Sequence, residues 1–426
     1  MAEAGTLKPS GSKSFSVAII LGGLYGLSFL DRQLLSLLAE PIKADLLLSD
    51  TQLGLLAGFT FALFYSVFGL PVAWLADRGN RVWIVSASCA LWSAFTAACG
   101  LAQNVVQLAI ARIGVGIGEA GGSPPSYSII ADYFPPEQRG KALAIYSLGI
   151  PLGTTAGAAI GGWIAAHYGW RAAFISIGLF GCAYALFILL TVREPQRGAM
   201  DRAPVTSMPF LATLRQFWVD RVLRMTAIAG SLSAFVGYAM VSWVPALMMR
   251  DKGMTLSDLA LYYSIAGGTA SAVGTLATGF LIDSLGKYRP RIYGLVPAAG
   301  LLMSVSFWVA GLTATSWPIA LALLIIPFTF CSSYMPAVVT IVQNRVAPAQ
   351  RSMASSILLL FMNIIGLGIG PLYIGLISDA ATSAGSATSL QIALLALTPL
   401  FIVAAFAHWL VGLALRQANS LTPASV

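Results

Sequence analysis

The sequence predicts an all-α polytopic membrane protein with twelve transmembrane helices in two pseudo-symmetric six-helix bundles. Three observations carry that expectation: the composition, the spacing of apolar runs, and a pair of loop signatures that recurs. Of 426 residues, 58% are hydrophobic and 9% are charged, and the mean hydropathy is +0.82. A soluble domain carries roughly a quarter charged residues, so this chain cannot cover itself with a wetted surface. Apolar runs of about 20 residues recur along it, the length that crosses ~30 Å of hydrocarbon. The first run, near Phe15, is too long for a signal peptide and lacks a small-residue cleavage site, so it reads as a span.

Cutting at the polar breaks places spans at 14–39, 51–75, 82–102, 104–131, 140–166, 170–192, 222–249, 257–282, 291–312, 316–343, 353–378 and 389–415. An even number of spans puts both termini on one side, and the excess of Lys and Arg says which side. With the termini cytoplasmic, Lys43, Arg171, Arg250 and Lys252 lie outside, Arg32 and Arg112 lie within spans, and the other eighteen of the 24 basic residues lie inside. This orientation accounts for the net charge of +8, so the basicity is not read as nucleic-acid binding. The compact loops suit a bacterial inner membrane.

The longest polar interval, 193–221, divides the chain into bundles at 14–192 and 222–416, with tails at 1–13 and 417–426. Within it, PFLATLRQFWV (209–219) is a candidate amphipathic helix on the membrane surface. Loop signatures recur across the division. AWLADRGNRVWI carries Asp77, Arg78 and Arg81, and GFLIDSLGKYRPRI carries Asp283 and Gly286. FPPEQRGKA carries Arg139, and VAPAQRSMA carries Arg351. The two pairs keep the same order and nearly the same separation, which points to two homologous six-helix halves.

These loops resemble the major facilitator superfamily and its pattern G-x-L-x-D-[RK]-x-G-[RK]-[RK]. The first copy departs from it, with Ala73 and Asn80 at the glycine positions; the second keeps Gly279, Leu281, Asp283, Gly286 and Lys287. GIPLGTTAGAAIGG (149–162) and GWRAAF (169–174) resemble the superfamily's fifth helix and its entry to the sixth. FLDRQLLS (29–36), LPVAWLADR (70–78) and the stretch from GIGEAGGSPP to GIPLG (116–153) resemble the Spinster family of lipid transporters. The resemblance implies the major facilitator fold and a proton-linked carrier of lysolipid- or sphingoid-like molecules, working by alternating access. It also implies that spans one and four flank the central cavity.

Four ionisable residues stand at membrane depth: Asp31 and Arg32 in span one, Arg112 and Glu119 in span four. An ionised side chain at mid-bilayer costs ~2.5–3.5 kcal/mol on insertion scales, so these must face protein or water. Arg112 and Glu119 are two helical turns apart and project from one face; Asp31 and Arg32 point ~100° apart and do not pair with each other. Each arginine can meet an acid across the two spans. Glu119 and Asp31 are therefore the candidate proton carriers, with Arg32 and Arg112 as charge partners or head-group ligands. The competing reading is a static ion-pair lock between helices.

Asp77 and Asp283 are expected to reach the positive ends of spans eleven and five across the bundles. With Arg78, Arg81 and Arg139 they form a candidate conformational gate at the cytoplasmic face; turn-capping aspartates are the plainer alternative. Tyr25, Tyr146, Phe235, Tyr238 and Tyr334 are candidate cavity residues. A C-terminal half without charges at depth suits an amphipathic substrate, its head group held by the N-terminal charges.

Cys89, Cys99, Cys182 and Cys331 fall in apolar segments without metal-ligand spacing, and His167 and His408 are far apart. No metal or organic cofactor is expected; protons are the expected coupling ion. GVGIGEAGG has glycine spacing but no preceding strand, so it reads as helix packing and not as a dinucleotide site. No convergent nucleophile set suggests an enzyme. The expected partners are a small amphipathic substrate, protons and membrane lipids, with the chain a monomer. A proton/organic-anion symporter or a multidrug-type exporter is the alternative within transport, and a non-transporting receptor or scaffold the alternative outside it.

Overall fold

The computed structural model describes residues 11–198, 200, 210–286, 289–346 and 351–420, and among them it is helical without strands. Eleven helical stretches are long and apolar enough to cross a bilayer: Ser14–Leu37, Asp50–Ala76, Arg81–Cys99, Val105–Tyr133, Lys141–Thr191, Arg221–Arg250, Leu256–Gly286, Ile292–Thr313, Trp317–Arg345, Met353–Ser383 and Ser389–Gln417. The fifth has 51 residues, which at 1.5 Å per residue is more than twice the hydrocarbon thickness. Gly169, at φ 83° and ψ 161°, breaks it, and only glycine takes that conformation without strain. The stretch is therefore spans five and six, which makes twelve candidate spans among the described residues. The face where spans one and twelve carry the chain ends is called the terminal face below, and the other the far face.

Small residues set the tightest packing. Span one meets span five through Gly22 and Gly26 against Gly149 and Gly153; span three meets span six through Ser93 and Ala97 against Gly178 and Gly181. Spans one to six pack chiefly among themselves, as do seven to twelve, where span nine lies against ten and twelve. In the linker, Phe210–Val219 is helical and packs on spans seven and eleven, burying Phe217 beside Leu223, Ile357 and Leu358.

The two sets meet through spans two and eleven, five and eight, and one and seven. Each of the first four contains a π-helical turn: Leu55–Phe59, Gly157–Gly161, Leu259–Tyr263 and Met362–Ile369. The turns of spans two, five and eight lie toward the far face and that of span eleven near mid-span, and the helices touch there: Gly54 and Gly58 abut Pro371 and Leu367, and Gly162 abuts Ala260. The cross-bundle ion pairs between described side chains gather there too. Toward the terminal face the same helices leave Val67, Trp74, Leu276 and Phe280 exposed.

The glycine contact between spans one and five gives a direct check. A Cβ at Gly153 would collide with the Gly26 carbonyl, whereas nothing lies within 4 Å of one at Gly69. Gly153→Ala is expected to cost about 1–3 kcal/mol, the usual penalty of overpacking, and Gly69→Ala to be near neutral. Unfolding followed by tryptophan fluorescence in detergent separates the two; equal midpoints would show that spans one and five do not pack backbone to backbone.

Candidate functional site

Span four changes direction where its chemistry lies. Its first helical segment ends at Glu119 and the second begins at Ser123. Pro124 and Pro125 have no N–H to continue the i−4 ladder, and the backbone closes instead through Gly121 N–H to Gly118 O and Gly122 N–H to Glu119 O, at 3.2 and 3.0 Å. Glu119 is thereby held at the last turn before the break.

The structure joins Glu119 to Arg32 of span one, not to Arg112 of its own helix. Arg32 Nη2 and Nε reach Glu119 Oε2 at 2.6 and 2.8 Å, and Ser28 Oγ donates to the same oxygen at 3.0 Å. The Glu119 side chain is 1% exposed and that of Arg32 16%. Arg32 also lies over the rings of Phe61, Phe29 and Tyr65, 4.7, 5.1 and 5.1 Å from their centroids, within cation–π range. Asp31 is buried and accepts a hydrogen bond from Thr96 Oγ. Arg112 is also buried, 5.5 Å from the Phe61 centroid. Among the described residues, Asp31 Oδ1, Glu119 Oε1 and Arg112 Nε and Nη1 have no hydrogen-bond partner.

A small polar cavity touches this cluster, lined by Tyr25, Ser28, Trp92, Glu119, Ser123 and Tyr146. Tyr25 stacks on Tyr146 at 4.5 Å between centroids, and Tyr127 meets Tyr146 edge-on at 5.1 Å. Tyr238 of span seven is partly buried against the main core and against the cluster around Tyr334 and Met362. Phe235 packs on Tyr373 and Tyr334 lies beside His408, so these two are apart from the charge cluster.

Of the candidate gate residues, Asp77 and Asp283 have side chains outside the described set. Arg78 is exposed and stacks on Trp74 at 4.2 Å. Arg139 Nε donates to the carbonyls of Ala131 and Phe134, both at 3.1 Å. Arg81 is buried inside the N-terminal bundle. It binds Asp132 of span four at 2.5 Å, Glu194 at 2.7 Å and the Pro195 carbonyl at 2.9 Å, so it ties the start of the linker to spans three and four.

On the far face lies a charge network that sequence reasoning missed. Arg250 at the end of span seven reaches Asp50 at the start of span two through Nη1–Oδ2 at 2.7 Å and Nη2–Oδ1 at 2.9 Å. The same guanidinium binds Glu40 Oε1 at 2.6 Å, and Lys43 binds Asp50 Oδ1 at 2.5 Å. Ser378 Oγ donates to Asp50 Oδ2 at 2.5 Å. Asp379 of span eleven accepts the backbone N–H groups of Asp50 and Thr51, at 3.0 and 2.8 Å, and so caps span two from the opposite bundle. Opposite charges in the 1–2 and 7–8 loops were the available signal, but ordinary loop charges look the same in one sequence.

Twelve spans in two packed sets, closed at one face by ion pairs, are the outline of a known fold. The family model of the Major Facilitator Superfamily matches residues 21–371. The chain belongs to the major facilitator superfamily. Within it, the chain is 34% identical over 399 residues to an MFS-type efflux pump of Mycolicibacterium smegmatis, covering 92% of this chain and 91% of that one. It is 26% identical to protein spinster homolog 1 of Xenopus tropicalis, over 92% of this chain and 78% of the relative. Among solved structures it is similar to a bacterial homolog of the human lysosomal transporter Spinster in an inward-facing, unoccupied conformation. That match has a TM-score of 0.89 and 31% identity, and covers 97% of this chain and 100% of the other. The major facilitator fold and the Spinster resemblance read from the sequence are both upheld.

The far-face network makes its own prediction. Arg250→Ala takes the guanidinium from Asp50 and Glu40 and leaves Asp50 with Lys43 and Ser378, a loss of about 1–3 kcal/mol, and it is expected to part the bundles on the far face. Spin labels at exposed Leu47 and Ala384 would then report a population at longer distance. An unchanged distance distribution would assign the closure to apolar packing alone.

Proposed function

We propose that this major facilitator superfamily member is a proton-coupled secondary transporter of amphipathic lipid-like molecules, of lysophospholipid or sphingoid type, working by alternating access. One observation carries the proton reading. Glu119 is buried and shares one oxygen with Arg32 and Ser28, while its other oxygen has no donor among the described residues. A proton on Glu119 removes the negative charge that holds Arg32 and frees the guanidinium for an anionic head group. Asp31, with an unpartnered oxygen of its own, is the second candidate carrier, and Arg112 its counter-charge. Tyr25, Tyr146 and Tyr238 would flank the head group.

The substrate class rests on the likeness to Spinster homologs and on an N-terminal charge cluster facing a C-terminal bundle whose spans are almost free of charge at depth. The 34% identity to an efflux pump favours a second reading, export of a wider range of amphipathic compounds through the same cavity. The Lys and Arg bias orients the terminal face to the cytoplasm, which makes this conformation inward-facing, and a bacterial inner membrane as a monomer is the proposed setting. Asp77, Arg78, Arg81, Arg139 and Asp283 would serve the opposite gate when the terminal face closes.

The test follows the Leu47–Ala384 distance against pH in proteoliposomes. In the wild type, lowering the pH is expected to shift the population, because protonation of the cluster releases the Arg32 contact. Glu119→Gln should hold one population at all pH values and slow gradient-driven uptake of a fluorescent lysophospholipid at least tenfold, with Asp31→Asn showing whether the second acid shares the load. A pH-insensitive wild type, with both variants merely less stable, would make the cluster a structural strut and remove the proton step.

A further inference from the structure

At the terminal face of the C-terminal bundle, Arg221 and Arg224 are held in place without a carboxylate partner among the described residues. Arg224 Nη1 donates to the Trp218 carbonyl at 2.5 Å, and Arg221 Nη1 to Gln417 Oε1 at 3.2 Å. Both acceptors are neutral, so they position the guanidinium groups and leave the positive charge uncompensated. The nearest described acid, Asp220, is already engaged: it caps Val222 N and Leu223 N at 2.8 and 3.2 Å and binds Arg345 Nε at 2.7 Å. Arg215 on the linker helix and Arg416 on span twelve are exposed on the same face.

Beside this charge lies apolar surface. Trp218 and Val219, the last residues of the linker helix, are 62% and 73% exposed. Span seven is largely buried, yet Ile228, one turn deeper than Arg224, is exposed. On neighbouring span twelve, Leu413 is exposed one turn deeper than Arg416 and Gln417. Basic groups at the membrane surface, an indole at headgroup level, and a strip of apolar side chains running inward match both ends of one molecule.

We propose that an anionic phospholipid of the terminal-face leaflet binds here, its phosphate between Arg221 and Arg224, its headgroup against Trp218, and an acyl chain along Ile228 and Leu413. The lipid fastens the linker helix to spans seven and twelve. The site lies on the outer surface of the C-terminal bundle, away from the Glu119 cluster, and depends on neither proton coupling nor the transported substrate.

Purified, delipidated full-length protein in detergent, titrated with phosphatidylglycerol or phosphatidylcholine of the same acyl chains and followed by native mass spectrometry, tests this directly. The wild type is expected to bind phosphatidylglycerol at least tenfold more tightly than phosphatidylcholine. Arg221→Gln/Arg224→Gln should remove that preference and Arg221→Lys/Arg224→Lys should keep most of it, while Trp218→Ala should weaken both lipids. Millimolar inorganic phosphate should not displace the bound lipid, since it lacks the chain. If the glutamine pair fails to fold, Arg215→Gln/Arg416→Gln, which removes exposed charge only, should lower the preference severalfold. Equal affinity for the two lipids in the wild type, an unchanged preference in the folded glutamine variants, or full displacement by phosphate would each overturn the proposal.

Discussion

The interior of this protein is organised around the cost of keeping charge in hydrocarbon. Glu119 and Arg32 lie at membrane depth because each neutralises the other, and because the cation has a second favourable surround in Phe29, Phe61 and Tyr65. That second surround matters for any state in which the carboxylate is lost, since a guanidinium against aromatic faces retains part of its stabilisation. Phe61 lies within 5.5 Å of Arg112 as well as 4.7 Å of Arg32, so one ring on span two screens two cations contributed by spans one and four. The three helices are bound to a common position by that arrangement, and the break at Gly121–Gly122 follows the same need, since it ends the helix where the acid must be presented.

A second layer of charge works differently. The Glu119 cluster holds helices of one bundle together, whereas Asp50, Glu40 and Arg250 hold one bundle to the other. Spans one and two connect the layers physically. Span one carries Asp31 and Arg32 and runs on toward Glu40; span two begins at Asp50 and reaches Phe61 after the π-helical turn at Leu55–Phe59. A π turn widens the helix by one residue and weakens its ladder, and one sits in each of spans two, five, eight and eleven, four of the six helices that touch across the bundles. Local weak points at the cross-bundle contacts allow those helices to bend there without losing the packing of the rest.

The fold class was legible because it depends on quantities that add along the chain: apolar length, charge bias and a repeated loop. The four buried ionisable residues were legible because each is costly where it stands, whatever its neighbours. Their pairing was not legible in full. An arginine meeting an acid across spans one and four was expected, but that Glu119 takes Arg32, and that Arg32 rests on the rings of Phe61 and Tyr65 of span two, depends on helix packing that leaves no mark in local spacing. The far-face network was hidden for a related reason. Glu40, Lys43, Asp50 and Arg250 stand at helix ends, where charge is ordinary, and only tertiary contact makes Asp50 a buried group with three partners. Arg81 shows the reverse case: its loop signature is visible, but the acids it binds, Asp132 and Glu194, lie about 50 and 110 residues away.

The linker completes the mechanical picture, because it is fixed at both ends. At its start, Glu194 and Pro195 are bound by Arg81, Arg197 Nη2 donates to the carbonyls of Ala76 and Gly79 at 2.6 and 2.7 Å, and Gly198 N donates to Asp132 at 3.0 Å. At its end, Phe217 is buried in the C-terminal bundle and Asp220 is held by Arg345. Both anchors are specific: buried charge clasps the start of the linker to one bundle and an aromatic side chain fixes its end to the other, so the terminal face is joined by chain connection where the far face is joined by ion pairs.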